Sequence, residues 1–424
     1  MDLPTVIMPP PEKIIIPMLQ HIGVSCMPSV KKGDRVWAGQ KIGDSEAFVT
    51  APVHSSVSGI VSDIKPVLYP DGSEAIAVEI KPDQRQVIFE KISPLKDLDR
   101  ESLLLQIRES GLVGLGGAGF PTAVKLSPPP GKMLDTLIIN GAECEPYITS
   151  DYREMVENPA DILEGIKIVM DLTGIQRAFI GIESNKPEAV KRMSFQAEKY
   201  PGIQIVSLPS RYPQGGEKQI IYAVTGRKVP TGGLPSDIGV LVHNVNTVSF
   251  LAGYVKTGMP LIKKKVTVDG GAVKRPMNLE VLIGTPLKEV FEFCGGFTEE
   301  PRKIIMGGPM MGVAQYSLEN PILKHTNALL AFTAKEAALP LESVCLRCGK
   351  CVSVCPMGLL PLFINAHIVH DNIEEALKYH LNDCIECGCC SYSCPASRHL
   401  VQSIRYAKAK IKEKSRKDFK EDGK

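Results

Sequence analysis

The period of apolar and polar positions changes several times along the chain, and each change predicts a separate module. Residues 1–20 are proline-rich, and Pro9, Pro10 and Pro11 predict an arm that leads into the extended apolar stretch IIIPMLQHIG. In SVKKGDRVWAGQKIGDSEAFVTAPVHSSVSGIVSDIKPV, short β runs alternate with Gly-Asp and Ser-Gly turns, the pattern of a small all-β unit. Beyond a linker near DQRQVIFEKISPLKDLDR the period shifts. ESLLLQIRESG is helical, whereas LDTLIIN, RAFIGIE, IQIVSL and IGVLVHNV read as strands with helices between them. Strand–loop–helix alternation over residues 100–255 predicts a doubly wound sheet, with ligand at the strand C-termini. Residues 261–315 give strand, Gly-Gly hairpin, strand and short helix, which predicts a β-grasp module. GGPMMG follows as a loop, and a linker reaches the last segment. There LPLFINAHIVH has helical spacing, and Asn372 with Glu375 resembles a capping box before IEEALKYH.

Composition sets limits on this picture. The 424 residues suffice for about three domains. Charged residues make up 23% and the formal net charge is +2, so nothing points to nucleic acid. No apolar run approaches the roughly 18–20 residues that span a bilayer, so the chain is expected to have no transmembrane segment of its own. MDLPTVIMPPPEK lacks the basic start and apolar core of a secretory signal. The lysine-rich end from Lys408 to Lys424 is interspersed with Glu413, Asp418, Glu421 and Asp422, which predicts a solvated helix end rather than a lipid-binding surface.

The cysteines bring in the chemistry. CLRCGKCVSVCP and CIECGCCSYSCP repeat the spacing C-x2-C-x2-C-x3-C-P, twenty-seven residues apart. Three cysteines spaced this closely wrap one corner of an iron–sulfur cube, and the fourth points away to the other cluster, as in two-cluster ferredoxins. This assigns Cys345, Cys348, Cys351 and Cys394 to one 4Fe–4S cluster, and Cys384, Cys387, Cys390 and Cys355 to a second. The alternative is a pair of zinc sites, but structural zinc usually takes two separated C-x2-C pairs. A disulfide framework fits less well, because nine of the twelve cysteines crowd into one short stretch of a long chain. Cys389 is extra to the spacing and reads as a packed bystander. The helical spacing between the motifs predicts an α-helical ferredoxin module, with His367, His370 and His380 on helix surfaces. Reduced thiols argue for the cytoplasm.

Other segments carry weaker signals. GLVGLGGAGFPTAVKL can serve tight turns, or let backbone N–H groups approach a phosphate at a helix N-terminus. GAECEPYITSDYR is an acidic turn after a strand. Gly215, Gly216, Glu217 and Lys218 open a helix, where an anion is favoured; Asn244 and Asn246 follow a buried strand. For the last two, a helix cap or turn is the competing reading. Trp37 and Cys294 read as core, and His54 as packed or surface. KKGDRVWAGQKIG and APVHSSVSGIV resemble the hammerhead of lipoyl and biotinyl domains, but DSEAFVTAP has no lysine where those carriers present one. The barrel-sandwich is therefore expected to be structural.

LVGLGGAGFPTAVKL, INGAECEPYITSDYR, YPQGGEKQIIYAVTG and the twin cysteine motifs together resemble the RnfC family, the flavin/NADH-site subunits of Rnf electron-transport complexes. The likeness covers nearly the whole chain, although the GG-x-HP start of that family is absent. The flavin half also resembles the NADH-oxidising flavin subunit of respiratory complex I. By that resemblance, Gly114, Gly116, Gly117, Gly119 and Lys125 would hold an FMN phosphate, and Asn140 and Tyr212 would lie by the isoalloxazine. Phe120 would stack on the NADH adenine, with Glu145 and Glu217 near the ribose or nicotinamide as catalytic acids. Glu143, Gly215, Asn244 and Thr247 complete the implied cofactor site. Leu115 stands where the complex I loop has an arginine, and Gly216 where it has an acid, so phosphate neutralisation must come from elsewhere.

The resemblance implies a multi-domain α/β fold: an N-terminal arm and lipoyl-like barrel-sandwich over 1–90, an FMN/NADH-binding α/β domain over 91–258, a β-grasp domain over 259–320, and an α-helical ferredoxin domain with basic tail over 321–424. It implies FMN, two 4Fe–4S clusters and NAD(H) as substrate. The implied partners are the membrane and ferredoxin-like subunits of an Rnf complex, with this chain peripheral on the cytoplasmic face of the membrane. Two rivals are a cobalamin reductase of propanediol-utilisation compartments, whose relatives begin at the flavin domain, and an electron-carrying adaptor without flavin.

Overall fold

Proline and short apolar runs start the chain as extended backbone. Strand β1 (Val6–Ile7) is followed by β2 (Ile14–Pro17), whose four residues are all buried. A computed structural model describes residues 3–69, 73–96, 99–129 and 131–421, the side chains of 415–421 excepted. Asp418, Glu421 and Asp422 of the expected solvated tail lie outside the described side chains. The chain divides into two units, Met1–Lys228 with Pro235–Ala337, and Val229–Leu234 with Ala338–Lys424.

In the first unit, β3 (Met27–Pro28), β4 (Arg35–Val36), β5 (Lys41–Asp44), β6 (Val53–His54), β7 (Gly59–Leu68) and β8 (Glu74–Pro82) complete two small antiparallel sheets, ordered β2-β8-β7-β4 and β3-β5-β6. Ile14, Ile16, Met18, Ile42, Val53, Val61, Val78 and Ile80 form their shared core. Each such side chain contributes about 1.5–3 kcal/mol by leaving water. His54 is buried, as the packed reading expects. Trp37 is only half-buried, with its ring 6.3 Å from that of Phe89, so it edges this core rather than filling it.

Helix α1 (Arg100–Glu109) and the short α2 (Thr122–Lys125) flank the glycine-rich segment. The sheet beyond them is fully parallel: β9 (Thr136–Gly141), β10 (Ala178–Glu183), β11 (Ile203–Leu208) and β12 (Val240–Asn244), ordered β11-β10-β9-β12. Helices α3 (Ser150–Glu157), α4 (Pro159–Thr173), α5 (Pro187–Ala197), α6 (Glu217–Thr225) and α7 (Val245–Thr257) connect and cover it. The helical spacing of Ile162, Ile166, Val169 and Met170 turns α4 towards the core. Gly165 permits its contact with α7, since a Cβ there would lie 1.8 Å from the Val248 carbonyl oxygen. The chain leaves β9 towards β10 and returns as β12 on the other side. The switch point therefore lies between β9 and β12, where Asn140 and Asn244 sit opposite each other.

The third part of this unit is a six-stranded sheet, ordered β1-β14-β13-β17-β15-β16. Its members are β13 (Lys263–Asp269), β14 (Met277–Leu282), β15 (Lys303–Met306), β16 (Val313–Ala314) and β17 (Ala328–Phe332), with α8 (Leu287–Phe293) packed through Leu287, Val290 and Phe291. Cys294 is fully buried in this core, and burial pushes its thiol up to about 12. The structure differs here from the sequence expectation. ALLAF, expected in the linker beyond residue 320, is a buried strand between β13 and β15, and the unit runs to Ala337. A strand covered on both faces shows no alternation, so its period cannot announce it.

Lys324, just before β17, is buried and donates from Nζ to the carbonyls of Pro52 (2.6 Å) and Gly111 (2.7 Å). Burial pushes its ammonium down from 10.5 to about 7, against the pull of Cys26 and Asp44. Between those values the unfolded chain binds the extra proton, so this residue's contribution to stability rises with pH from about 7 to about 10. Lys324→Met is expected to remove that rise, measured as denaturant midpoints at about pH 7 and pH 9.

The second unit is helical: α9 (Lys350–Ser353), α10 (Pro361–Val369), α11 (Ile373–Lys378), α12 (Cys389–Tyr392) and α13 (Leu400–Glu421). Leu359, Ile364, Ile368, Ala376, Leu381, Ile404 and Ala407 form its core. Asn372 caps α11, accepting from the Glu375 amide at 3.2 Å. His367 stacks on Tyr379 at 5.3 Å, while His370 and His380 are exposed.

Candidate functional site

The glycine-rich loop is pinned at its base. Gly114 N donates to Phe120 O (2.8 Å), and Leu115 N donates to the Thr247 hydroxyl (3.0 Å) on α7. Gly116, Gly117 and Ala118 are left exposed at the sheet edge, and Phe120 is half-buried. A Cβ on Gly116 would come within 3.1 Å of the Asn244 amide. Gly117 has φ +114°, which only glycine adopts readily, and a Cβ there would meet no atom within 4 Å. Gly119, at φ +67°, approaches the His325 ring. The loop thus presents bare backbone to open space beside the switch point, which fits the approach of a phosphate.

Several expected residues hold one another. Asn140 Nδ2 donates to Gly215 O (2.7 Å), and its Oδ1 accepts from Ala142 N (3.1 Å). Gly215 must be glycine, since a Cβ would lie 2.2 Å from Ala142 O. Lys125, expected at the FMN phosphate, and Glu217, expected near the ribose or nicotinamide, meet as an ion pair at 2.7 Å. Asn244 caps α7 by accepting from Asn246 N (2.9 Å), which agrees with the cap reading of that segment. Glu143 accepts the amides of Asp151 (2.8 Å) and Tyr152 (3.1 Å) at the start of α3, so it too is a helix cap. Burial, with Asp151 beside it, pushes the Glu143 carboxyl up to about 7.

A cavity of about 370 Å³ opens at the C-terminal ends of β9, β10 and β11. Glu143, Glu145 and Tyr212 line it, together with Glu183, Lys186 and Arg211. Glu145 is held by the amides of Met310 (3.0 Å) and Met311 (2.9 Å), so the GGPMMG loop closes on the acidic turn. Sequence reasoning misses Lys186, Arg211 and Glu183; their only signal is position, because each follows or ends a parallel strand at its C-terminus. Phe120, Lys125, Gly215, Glu217, Asn244 and Thr247 do not line this cavity.

The cysteine motifs fold as an internal repeat. Arg347 and Glu386 take the same left-handed turn (φ +53° and +57°), and Gly349 and Gly388 open α9 and α12. Amides of Arg347 and Glu386 donate to Cys345 and Cys384 sulfurs, each at 3.4 Å, and Leu359 N does the same to Cys355. One cavity is lined by Cys355, Cys384, Cys387 and Cys390, with Cys389 on the same wall. Cys394 lies near enough to Cys351 for its charge to add to burial in raising that thiol. Among the described residues no three His, Cys, Asp or Glu gather as ligands of a single ion; thiols spread around a cavity suit the corners of a four-iron cube. Cys345 and Cys348 are exposed, whereas Cys387 and Cys390 are buried.

Comparison with known proteins gives the families of these domains. Models of four domain families match in order: the RnfC barrel sandwich hybrid domain (1–85), the Nuo51 FMN-binding domain (107–252), the SLBB domain (265–314) and the 4Fe-4S dicluster domain (344–397). Two crystal structures of NAD+-reducing NiFe-hydrogenase share the fold, with TM-scores of 0.51 and 0.50, 17% and 18% identity, covering 72% and 73% of this chain and 61% and 63% of theirs. The chain is thus an iron–sulfur flavoprotein, with an FMN-binding domain and two 4Fe–4S clusters. It is 46% identical to a subunit of the proton-translocating ferredoxin:NAD+ oxidoreductase complex of Clostridium ljungdahlii, over 96% of its own length and 90% of the relative's. It is 43% identical to the corresponding subunit of the Na+-translocating complex of Acetobacterium woodii (96% and 93%), and 42% identical to that of the ion-translocating oxidoreductase complex of Rhodobacter capsulatus (96% and 79%). The chain belongs to the RnfC family, to which these subunits belong. Among the described residues, no helix is long and apolar enough to cross a membrane.

Proposed function

We propose that this chain is the NAD(H)-reactive subunit of a membrane-bound, ion-translocating ferredoxin:NAD+ oxidoreductase, peripheral on the cytoplasmic face and joined there to the complex's other subunits. The observation that carries the reading is the exposed Gly116–Ala118 backbone, open above Gly117, at the switch point of a chain that also carries the twin cysteine motifs. Bound FMN supplies hydride exchange with NAD(H) and single-electron exchange with the two clusters. The chain supplies placement. Gly114, Gly116, Gly117 and Gly119 give the phosphate close backbone approach, Lys125 gives it charge, and Thr247 and Asn244 hold the loop. Asn140 and Gly215 set the wall beside the isoalloxazine with Tyr212, and Glu143 fixes α3 against it. Phe120 offers a ring face to the adenine, and Glu145 and Glu217 orient the ribose or nicotinamide. Cys345, Cys348, Cys351 and Cys394 ligate one cluster; Cys384, Cys387, Cys390 and Cys355 ligate the other.

Anaerobic purification is expected to yield about eight irons with matching acid-labile sulfide per chain, stoichiometric FMN, and flavin bleaching on titration with NADH. Stoichiometric zinc without sulfide, or a chain that takes up no flavin, overturns the reading.

Glu217→Gln tests the NAD(H) side. The Lys125–Glu217 pair is partly exposed, so its loss costs at most about 1 kcal/mol of stability. The variant is expected to keep FMN and both clusters while its stopped-flow reduction by NADH slows. Wild-type rate and affinity in the folded variant would make Glu217 a helix-start carboxylate and nothing more.

A further inference from the structure

The exposed backbone of Gly116–Ala118 hangs between two fixed points, one in each of two modules. On one side Leu115 N is bonded to Thr247 of α7, within the flavin domain itself. On the other side Gly119 O accepts from the Ile22 amide (3.0 Å), which lies between β2 and β3 of the barrel-sandwich. The loop's own closure there, Gly119 N to Gly114 O, is longer at 3.3 Å. Among the described residues no other hydrogen bond reaches Gly119 from outside the loop. The barrel-sandwich, expected only to pack, thus holds one end of the segment that meets a phosphate.

The same module also holds the start of the glycine-rich segment. Lys324 Nζ bridges Gly111 O to Pro52 O, the residue before β6. This junction requires glycine: at φ +69° a Cβ on Gly111 would lie 2.5 Å from Pro52 O and 2.9 Å from Lys324 Nζ. The two attachments share one frame. Ala51 N donates to His21 Nε2 (3.3 Å), with the Thr50 hydroxyl 3.1 Å from the same nitrogen, so the backbone beside Ile22 is tied to the backbone beside Pro52. Lys324 N donates to Gln20 Oε1 (3.1 Å), which fastens the turn before β17 to the same place. Gln20, His21 and Thr50 are all buried, so water does not compete for these bonds.

We propose that the barrel-sandwich is a positioning module of the flavin site: its Ile22 amide holds Gly119, and its Pro52 carbonyl, through Lys324, holds Gly111, so that Gly116–Ala118 keep the shape a phosphate meets. The inference rests on the FMN reading above and adds to it a domain that acts through the loop rather than on the cofactor. A loop released at Gly119 populates other shapes, and apparent affinity falls with the fraction that stays competent to bind.

The test pairs FMN titration of the cluster-loaded chain, followed by flavin fluorescence, with amide hydrogen exchange of the same chain before FMN is added. Ile22→Pro removes the donor to Gly119, and because the side chain is 52% exposed it removes little packing. It is expected to weaken FMN roughly three- to tenfold, the scale of one hydrogen bond. Peptides covering residues 112–119 should exchange faster, while those of β9, β10 and β12 keep their protection, which a general loss of stability would not spare. Ile22→Ala keeps the amide and should bind FMN as the wild type does. Lys324→Met should weaken FMN in the same direction as Ile22→Pro. Wild-type affinity in folded Ile22→Pro overturns the proposal, as does exchange that quickens equally in the loop and the sheet, or an equal loss in Ile22→Ala. Should Ile22→Pro not fold, Lys324→Met decides by the same two readouts. Loss of fold in both would make these contacts matters of stability alone and overturn the proposal too. A wild-type chain that binds no FMN overturns the flavin reading instead.

Discussion

Gly117→Val is expected to give a chain that carries both clusters and no flavin. Two effects combine at this position. At φ +114° a valine is strained, by at least the roughly 1–2 kcal/mol that a left-handed residue costs, so the loop must move. The branched side chain would also project into the open space above the loop, where no protein atom lies within 4 Å. The protein core is therefore untouched, and the loss falls on whatever approaches the backbone. Gly117→Ala carries the strain with little of the bulk and should bind FMN more weakly without abolishing it. Flavin released on denaturation, measured beside iron, checks both. Stoichiometric flavin in the valine variant would remove Gly117 from the phosphate site.

Cys355→Ser is expected to destroy the cluster of the other motif. Cys355 follows α9 of the first repeat, but the cavity it lines belongs to Cys384, Cys387 and Cys390. Serine oxygen is a poor substitute for thiolate on a soft iron centre. Iron should fall from about eight to about four per chain, and EPR of the reduced protein should lose the signal of the second motif's cluster. Cys394→Ser should mirror it on the cluster of Cys345, Cys348 and Cys351. A loss confined to the first motif's cluster in Cys355→Ser would mean that each motif holds its own cube.

Much of the fold is legible in the sequence because it is local. The four strands of the parallel sheet show as apolar runs, three of them ended by Asn, Gly or Glu, and helix α11 shows by its Asn372 cap. The cysteine spacing is likewise a local statement, since three thiolates spaced this closely can reach one cube wherever the chain runs. Position in the sheet is less legible. ALLAF carries no period, and only its pairing with Lys303–Met306 and Thr267–Asp269 makes it a strand. Val6–Ile7 joins the same sheet through β14, a partner more than 270 residues away that no pattern in the arm reveals.

The site divides in the same way. The order of residues is enough to give the types a flavin and two clusters require: glycines in a loop before a helix, acids and amides after parallel strands, and eight cysteines in two repeats. Those requirements are written into spacing, because backbone approach and thiolate reach act over a few residues. What these residues do to one another comes from packing. It pairs Lys125 with Glu217, gives Glu143 to the start of α3, and closes Met310 and Met311 over Glu145. It also buries Lys324 between the Pro52 and Gly111 carbonyls, where burial pushes its ammonium down to about 7. Burial is a property of the packed chain, and the chemistry of an ionisable group follows burial more than identity.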